Sequence, residues 1–444
     1  MEQLKMKNNL SKIILLLGDI LGILISIYLA YELRALLENY FDLGTMQSVL
    51  VYVNEPLLYG VPIVMLAYEG IYNRRYDFWH ETREVIKALI ISLIVVFSIL
   101  AITRQVEEFS RTAIVLSFVF MMFFIPFFKN ICKKMLFKTG LWKRYAKVYG
   151  CDIFVGKEIF ENPYLGYVLA TTEKAQTVFI NSNDMDLLER NRLINKGLKE
   201  KYEVVFIPLM EEFDLTQSHI YQLQNTRTNV IVFENRLASK IRTLMQQVFN
   251  YLLALLLLPI LLPVILFVAF LIKKESKGPV FFAHNRIGKN GRIIPTYKFR
   301  SMYSDAKERL AKLLEEDSEI KKEWETNYKL KNDPRITKIG AILRKTSLDE
   351  LPQIFNVLKG EMNFVGPRPV IQDEIDQYYK ENSSYYFMVK PGITGLWQVS
   401  GRSDTDYEFR IKTDKYYVMN WSLWLDIVIL FKTVKVVLKR EGAY

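Results

Sequence analysis

Asp349 and Glu350 stand side by side in the run Arg344-Lys345-Thr346-Ser347-Leu348-Asp349-Glu350-Leu351-Pro352-Gln353, and Gly366-Pro367-Arg368-Pro369 follows shortly after. Two adjacent carboxylates opening a short helix, with an arginine on either side in sequence, are parts from which a site that grips and attacks a phosphate can be built. A helix N-terminus draws anions, and an ionised carboxylate needs no deprotonation to act as a nucleophile. The same residues also fit a plainer role. Ser347-Leu348-Asp349-Glu350 has the S-x-x-E form of a capping box, in which acids of the first turn only complement the helix dipole. Pro352 bears on the choice. With Ser347 as N-cap it is the fifth helical residue, where its missing N–H is felt, whereas with Asp349 as N-cap it falls in the tolerant first turn. In that second register Leu351, Ile354, Phe355 and Leu358 form the buried stripe and both carboxylates stay at the open end.

The cations available to such a site are Arg286, Lys298, Arg300, Arg335, Arg344, Arg368 and Arg402. Taken singly, each reads more simply as a surface charge. Arg368 is the exception, because Pro367 and Pro369 restrict the backbone on both sides and limit the entropy lost in fixing a guanidinium fork suited to phosphate oxygens. Asp333-Pro334-Arg335 is a similar stiff turn with less specificity. The two cysteines, Cys132 and Cys151, lack metal-ligand spacing, and three histidines are too few and scattered for a His-built zinc site.

The elements that carry these residues are largely those of a membrane protein. Half of the 444 residues are hydrophobic, and the uncharged runs are longer than a soluble core needs. Apolar segments at about 12–31, 50–70, 84–103 and 110–129 each approach the roughly twenty residues that cross a bilayer, predicting a four-helix transmembrane domain over 1–145. The first has no small-residue cleavage site after it and reads as a retained helix. Lys5, Lys7 and Lys12, then Arg74, Arg75 and Arg83, then Lys129, Lys133, Lys134, Lys138, Lys143, Arg144 and Lys147 flank these segments on the side that the positive-inside rule assigns to the cytosol. The loops with Glu32, Glu38, Asp42, Glu107 and Glu108 fall outside. That topology accounts for most of the net charge of +11 and the pI near 9.2 without a nucleic-acid partner. Asp19 and Glu55 interrupt apolar stretches and are expected to pair within the bundle or sit near its ends.

Residues 146–240 change to short strands, at 146–155, 177–180, 203–208 and 229–233, separated by polar helices. Gly150 and Gly156 do not complete G-x-G-x-x-G, so this degenerate Rossmann-like domain is expected to bind no dinucleotide and to act as a spacer or homodimerisation module. The stretch 248–272 is then uncharged, with Pro259 and Pro263 in its middle and Lys240, Arg242, Lys273, Lys274, Lys277 and Arg286 at its flanks. A straight span would carry everything beyond it out of the cytosol, so a re-entrant helix broken at the prolines is favoured over a kinked full span. Beyond it, 281–299 reads as a hairpin turning at Gly288-Lys289-Asn290-Gly291, 304–328 as a solvated amphipathic helix, and 422–439 as a helix lying in the membrane interface or packed on the core. The fold class is thus an α/β membrane protein: a four-helix bundle, a small α/β domain, and an α-rich catalytic domain with a β-hairpin over 241–444.

Lys298-Phe299-Arg300-Ser301-Met302, the run 343–358, Gly360-Glu361-Met362-Asn363-Phe364-Val365-Gly366-Pro367-Arg368-Pro369, and Lys390-Pro391-Gly392-Ile393-Thr394-Gly395-Leu396-Trp397-Gln398-Val399-Ser400-Gly401-Arg402 closely resemble the bacterial sugar transferases, the monotopic phosphoglycosyl transferases. The likeness extends over the whole chain to the family's long form, with its four membrane helices and degenerate nucleotide-binding-like domain. Glu361, Asn363 and Phe364 are mild departures, since Asp, Ser and Leu are usual there. The resemblance implies transfer of hexose-1-phosphate from a UDP-sugar, galactose or glucose by family precedent, to undecaprenyl or another polyprenyl phosphate at the cytosolic face of the bacterial inner membrane, initiating a surface polysaccharide. It also implies Asp349 as nucleophile, Glu350 as ligand of Mg²⁺, Arg286, Lys298, Arg300, Arg344 and Arg368 with its flanking Pro367 and Pro369 at phosphate or nucleotide, and Asp414 and Asp426 in support.

Two rival readings differ in kind. A membrane-bound nucleotide-sugar epimerase or dehydratase needs the intact glycine fingerprint that is missing. A non-enzymatic assembly factor of polysaccharide export would function without Asp349.

Overall fold

The computed structural model describes residues 2–439 apart from 44–45, 106–108, 151–155, 161, 171–174, 182–185, 200–202, 209–214, 216–217, 224–227, 233–235, 317–329, 331–332 and 402–405. It divides into two compact units, Met1–Leu209 and Met210–Tyr444.

In the first unit, α1 (Glu2–Leu37), α4 (Phe78–Ile102) and α5 (Arg111–Lys138) are long and apolar enough to cross a membrane, as is helix Lys240–Glu275 of the second unit. The chain is a membrane protein. The span expected at 50–70 is instead two helices, α2 (Val49–Asn54) and α3 (Leu57–Tyr68), the second with only 12 residues. The break has a local cause. Pro56 pushes the residue before it out of the helical region, and the Glu55 carboxylate accepts from the Leu57 amide at 3.2 Å. Asp19 is buried and paired, accepting from Lys129 Nζ and the Tyr72 hydroxyl, each at 2.6 Å. Lys133 pairs with buried Glu81, which also accepts from the Tyr164 hydroxyl at 2.8 Å. Lys129 and Lys133, read from sequence as flanking charges, are therefore interior residues whose ammonium groups are neutralised by α1 and α4. The bundle core collects Ile23, Leu58, Leu66, Leu89, Phe118 and Met121.

The parallel sheet of this unit has β1 (Arg144–Tyr149), β2 (Tyr167–Leu169), β3 (Thr177–Asn181) and β4 (Glu203–Ile207) in the order β2-β1-β3-β4, around Ala146, Tyr167 and Phe179. Three residues of β2 are too few to leave a periodic signal. The strand expected at 146–155 is described only to Tyr149. The strand expected at 229–233 is not a member of this sheet: β6 (Thr228–Val232) pairs antiparallel with β5 (His219–Leu223) as a separate hairpin in the second unit. Glu107, Glu108, Cys151, Phe233 and residues 317–328 of the amphipathic helix lie outside the described residues, whereas Ala306–Glu316 is helical as expected.

The second unit is built along helix Lys240–Glu275, a single 36-residue element with Pro259 and Pro263 inside it. One face buries Gln246, Asn250, Ala254, Ile265, Val268 and Ile272, spaced by helical turns, while Leu255, Leu256, Ile260, Leu266, Phe267 and Phe270 are exposed. Both ends are tied to the same unit. Asn250 Oδ1 accepts from the Phe364 amide at 2.6 Å, and the Glu275 carboxylate accepts from the Lys338 and Ile339 amides at 2.7 and 3.1 Å. The hairpin β7 (Phe281–Ile287) and β8 (Ile293–Phe299) pairs as the sequence predicts, with positive φ at Asn290 and Gly291 in its turn. Phe299, Leu343, Ile354, Val357, Val365, Tyr417, Trp421 and Ile429 join the long helix in one core. Helix Leu423–Lys439 packs through Val428 and Ile429 and leaves Phe431, Val434 and Leu438 exposed.

Candidate active site

The acid pair is placed by a chain of close contacts. Helix Lys338–Thr346 is capped by Thr337, whose Oγ1 accepts from the Gly340 amide at 2.9 Å, and Gly340 itself lies against the Ser301 carbonyl where any side chain would collide. One turn on, Arg344 Nε donates to Ser301 Oγ at 2.9 Å. The helix ends at Ser347 in the left-handed region, φ 56°, and a 3₁₀ turn Leu348–Gln353 follows before helix Ile354–Leu358. Neither helical register expected from sequence occurs. Ser347 makes no side-chain cap, and the acids sit on 3₁₀ backbone between two helices. The buried stripe is Pro352, Gln353, Ile354, Asn356 and Val357, with Leu351, Phe355 and Leu358 half-buried.

Asn356 pins this segment to β8. Its Nδ2 donates to the Pro295 carbonyl and to Glu361, both at 2.6 Å, and its Oδ1 accepts from the Tyr297 amide at 3.0 Å. Lys298, next along the strand, therefore reaches the acids: Nζ lies 2.7 Å from Glu350 Oε1 and 3.7 Å from Asp349 Oδ2. Arg368 Nη2 approaches Glu350 Oε1 at 3.5 Å. Burial is the largest influence on Asp349 and raises its carboxyl above the usual range. Lys298 opposes this, Glu350 adds to it, and Arg344 and Arg368 oppose it more weakly. Three cations thus surround two half-buried carboxylates, leaving an excess of positive charge beside a potential nucleophile.

The loop carrying Arg368 is fixed from beneath. Strand β9 (Asn363–Val365) pairs with β10 (Gly392–Thr394), and Gly366 and Gly392 bring their backbones so close that a Cβ on Gly392 would strike the Gly366 nitrogen. Pro367 is buried and its carbonyl accepts from the Gly392 amide at 2.9 Å, while the Val370 carbonyl beyond Pro369 accepts from the Ile287 amide at 2.8 Å. Tyr417 Oη lies 3.1 Å from the Val365 carbonyl and 2.8 Å from Asp426 Oδ1. Trp421 Nε1 donates to Asp426 at 3.1 Å and Gln246 Nε2 at 3.4 Å; burial outweighs these bonds and pushes this carboxyl up to about 7. Asp414, buried and accepting from Tyr379 at 2.7 Å, is pushed to about 6 by the same cause. Both acids brace the domain from inside.

The other cations singled out in the sequence have partners away from the acid pair or lie outside the described residues. The Arg300 guanidinium is buried and donates to the carbonyls of Ser276 and Lys277 at 2.9 and 2.7 Å and to Ser276 Oγ at 2.8 Å, so it ties the end of the long helix to β8 instead of meeting the acid pair. Arg335 is buried against Asp333, with Nε–Oδ1 at 2.8 Å and Nη2–Oδ2 at 2.6 Å. Arg286 bonds Glu374 at 3.3 Å. Arg402 lies outside the described residues.

Residues 241–440 match the bacterial sugar transferase family. Over 84% of both chains the protein is 35% identical to the undecaprenyl-phosphate galactose phosphotransferase of Salmonella typhimurium, and it is 36% identical, again over 84% of both, to a UDP-galactose-lipid carrier transferase of Erwinia amylovora. The chain belongs to the bacterial sugar transferase family. An exopolysaccharide production protein of Sinorhizobium fredii is 43% identical over 44% of this chain but 86% of its own length, so that relative aligns with only part of this transferase.

The donor set of this sugar transferase suits a hard divalent cation such as Mg²⁺, which binds oxygen, uses one or two carboxylates and leaves positions for substrate phosphate. Asp349 and Glu350 are such carboxylates, and the Gln353 Oε1, one 3₁₀ turn from Glu350, is buried without a hydrogen-bond partner among the described residues. No group of three His, Cys, Asp or Glu side chains able to cage a metal occurs among the described residues. Asn356, Gln353 and Gly392 fall within the sequence motifs but carried no assigned role there. Asn356 left a legible signal, the one polar residue within the apolar helix Ile354–Leu358.

Proposed function

We propose that this transferase moves hexose-1-phosphate from a UDP-hexose to a polyprenyl phosphate in two steps. An Asp349 carboxylate oxygen attacks the sugar-bearing phosphorus, and the bond to the bridging oxygen breaks so that UMP leaves with the electron pair. An oxygen of the polyprenyl phosphate then attacks the same phosphorus, the bond to Asp349 breaks, and polyprenyl-diphospho-sugar departs with the carboxylate regenerated. The carrying observation is the partly shielded Asp349 with Lys298, Arg344 and Arg368 around it, a nucleophile beside charges able to neutralise an anion that would otherwise repel it. Glu350 would hold Mg²⁺ with Gln353 nearby, and the ion when bound would offset charge on the transferring phosphoryl oxygens. Splitting the exchange means that a soluble donor and a lipid acceptor never occupy the site together.

The lipid acceptor requires the site to lie at a membrane surface. We infer that helix Lys240–Glu275 enters and leaves the cytosolic leaflet, because both its ends are tied to the soluble unit and its exposed face is apolar around Pro259 and Pro263. Incubation of purified protein with Mg²⁺, polyprenyl phosphate and a panel of UDP-sugars should release UMP with one sugar class. Asp349→Asn should abolish that release; full turnover by this variant would remove the assigned nucleophile, whereas no UMP release from any UDP-sugar by the wild-type protein would favour a non-enzymatic role.

A further inference from the structure

Glu374 lies apart from the acid pair yet gathers donors from three directions. Its Oε1 accepts from Arg286 Nη1 and from the Ile371 amide, each at 3.3 Å, and its Oε2 accepts from the Tyr407 hydroxyl at 2.6 Å and from Arg410 Nη1 at 3.4 Å. The back of this knot is rigid. Arg410 is buried with its guanidinium 4.9 Å from the ring centroids of both Trp397 and Tyr407, and Tyr407 is stacked on Tyr378 at 4.0 Å. Arg410 Nε and Nη2 are buried without hydrogen-bond partners among the described residues, a costly arrangement that ordinary surface pairing of Arg286 would not require. The front of the knot is open. Arg286 is only partly buried, and the Ile287–Val370 bridge sets the strand that carries it beside the loop that carries Arg368.

A nucleotide-sugar donor has two phosphates joined by one oxygen, and cations for both must lie side by side. Lys298 and Arg368 touch Glu350 directly, and Arg344 faces Asp349. Arg286 belongs to a separate set, oriented by Glu374. Resting on the transferase reading above, we propose that Glu374, braced by Tyr407 and Arg410, is a positioning residue that fixes the Arg286 fork for the phosphate remaining on the leaving nucleotide. Lys298, Arg344 and Arg368 serve the phosphate under attack. A prefixed guanidinium loses less freedom on binding than one free to swing.

The test is UMP affinity by calorimetry on the full-length protein in detergent, which needs no turnover and so stands apart from the transfer reaction. Glu374→Gln should weaken UMP binding about tenfold, with Glu374→Asp, which keeps the charge, falling between it and wild type. Arg286→Ala should lose as much, and adding Glu374→Gln to it should cost nothing further, because both act through one guanidinium. In steady state the donor KM should rise while the polyprenyl phosphate KM does not move, a split that general loosening of the fold would not produce. Tighter UMP binding by Glu374→Gln would mean that the carboxylate merely dampens the charge of Arg286. Additive losses in the double variant would mean that the two act independently. Either result overturns the assignment.

Discussion

Carboxylates meet cations in both units of this protein, and the two meetings differ in burial and in balance. In the first unit Asp19 with Lys129 and Glu81 with Lys133 are buried, matched one acid to one base, and each acid takes a further bond from a tyrosine hydroxyl. In the second unit Asp349 and Glu350 are half-open and face Lys298, Arg344 and Arg368 in excess. A matched, buried pair carries no net charge to draw an anionic ligand, and its worth lies in holding helices in register. An unmatched cluster at a surface retains charge for an anion and a carboxylate for chemistry.

The sharpest way to break this contrast is to remove one charge in each place. Asp349→Asn should lower transfer by at least about 10³-fold, because it removes the attacking oxygen, while leaving the unfolding midpoint unchanged or slightly higher. Lys133→Met should do the reverse. Stranding the Glu81 charge should destabilise the first unit by about 3–5 kcal/mol, read as detergent-phase unfolding, with KM for both substrates unchanged in the folded fraction; adding Glu81→Gln should restore most of the loss. Arg368→Lys comes next: replacing a planar fork by a point charge between two prolines should cost about 10–100-fold in kcat/KM, with little change in stability.

A pH dependence at Asp426 is the last effect. Its carboxyl, pushed up to about 7 in the folded protein from 3.8, holds a proton that the unfolded chain has released. The stability this confers is complete below the unfolded value and is lost as pH rises towards 7, at about 1.4 kcal/mol per pH unit. The unfolding midpoint should therefore fall from pH 5 to pH 7, and Asp426→Asn should flatten that fall.

Much of this was legible in the sequence, for reasons tied to particular residues. The hairpin 281–299 could be read because Asn290 and Gly291 supply local backbone chemistry that needs no tertiary partner. The acid pair could be read, but its backbone could not. Ser347 adopts positive φ between a helix held against Ser301 at Gly340 and a segment pinned to β8 by Asn356, contacts between residues far apart in sequence. Lys129 and Lys133 looked like flanking charges since their partners, Asp19 and Glu81, are 110 and 52 residues away. Arg300, expected at phosphate or nucleotide, shows a similar limit: residue type reveals a guanidinium fork but not whether a carbonyl of the same chain already fills it. Pro56 carried enough information to break the second apolar segment, and its local effect was outweighed by the length of the surrounding hydrophobic run.

The central claim is that Asp349 carries the phosphosugar between donor and acceptor. The direct measurement is UMP released on mixing the protein with Mg²⁺ and the UDP-sugar it uses, in the absence of any polyprenyl phosphate, followed by mass analysis of the peptide spanning Asp349. A burst of about one UMP per active site, with a hexose-phosphate added to that peptide and discharged when polyprenyl phosphate is supplied, is the expected result. No UMP until the acceptor is present, and an unmodified peptide throughout, would mean direct transfer from donor to lipid and would contradict the account.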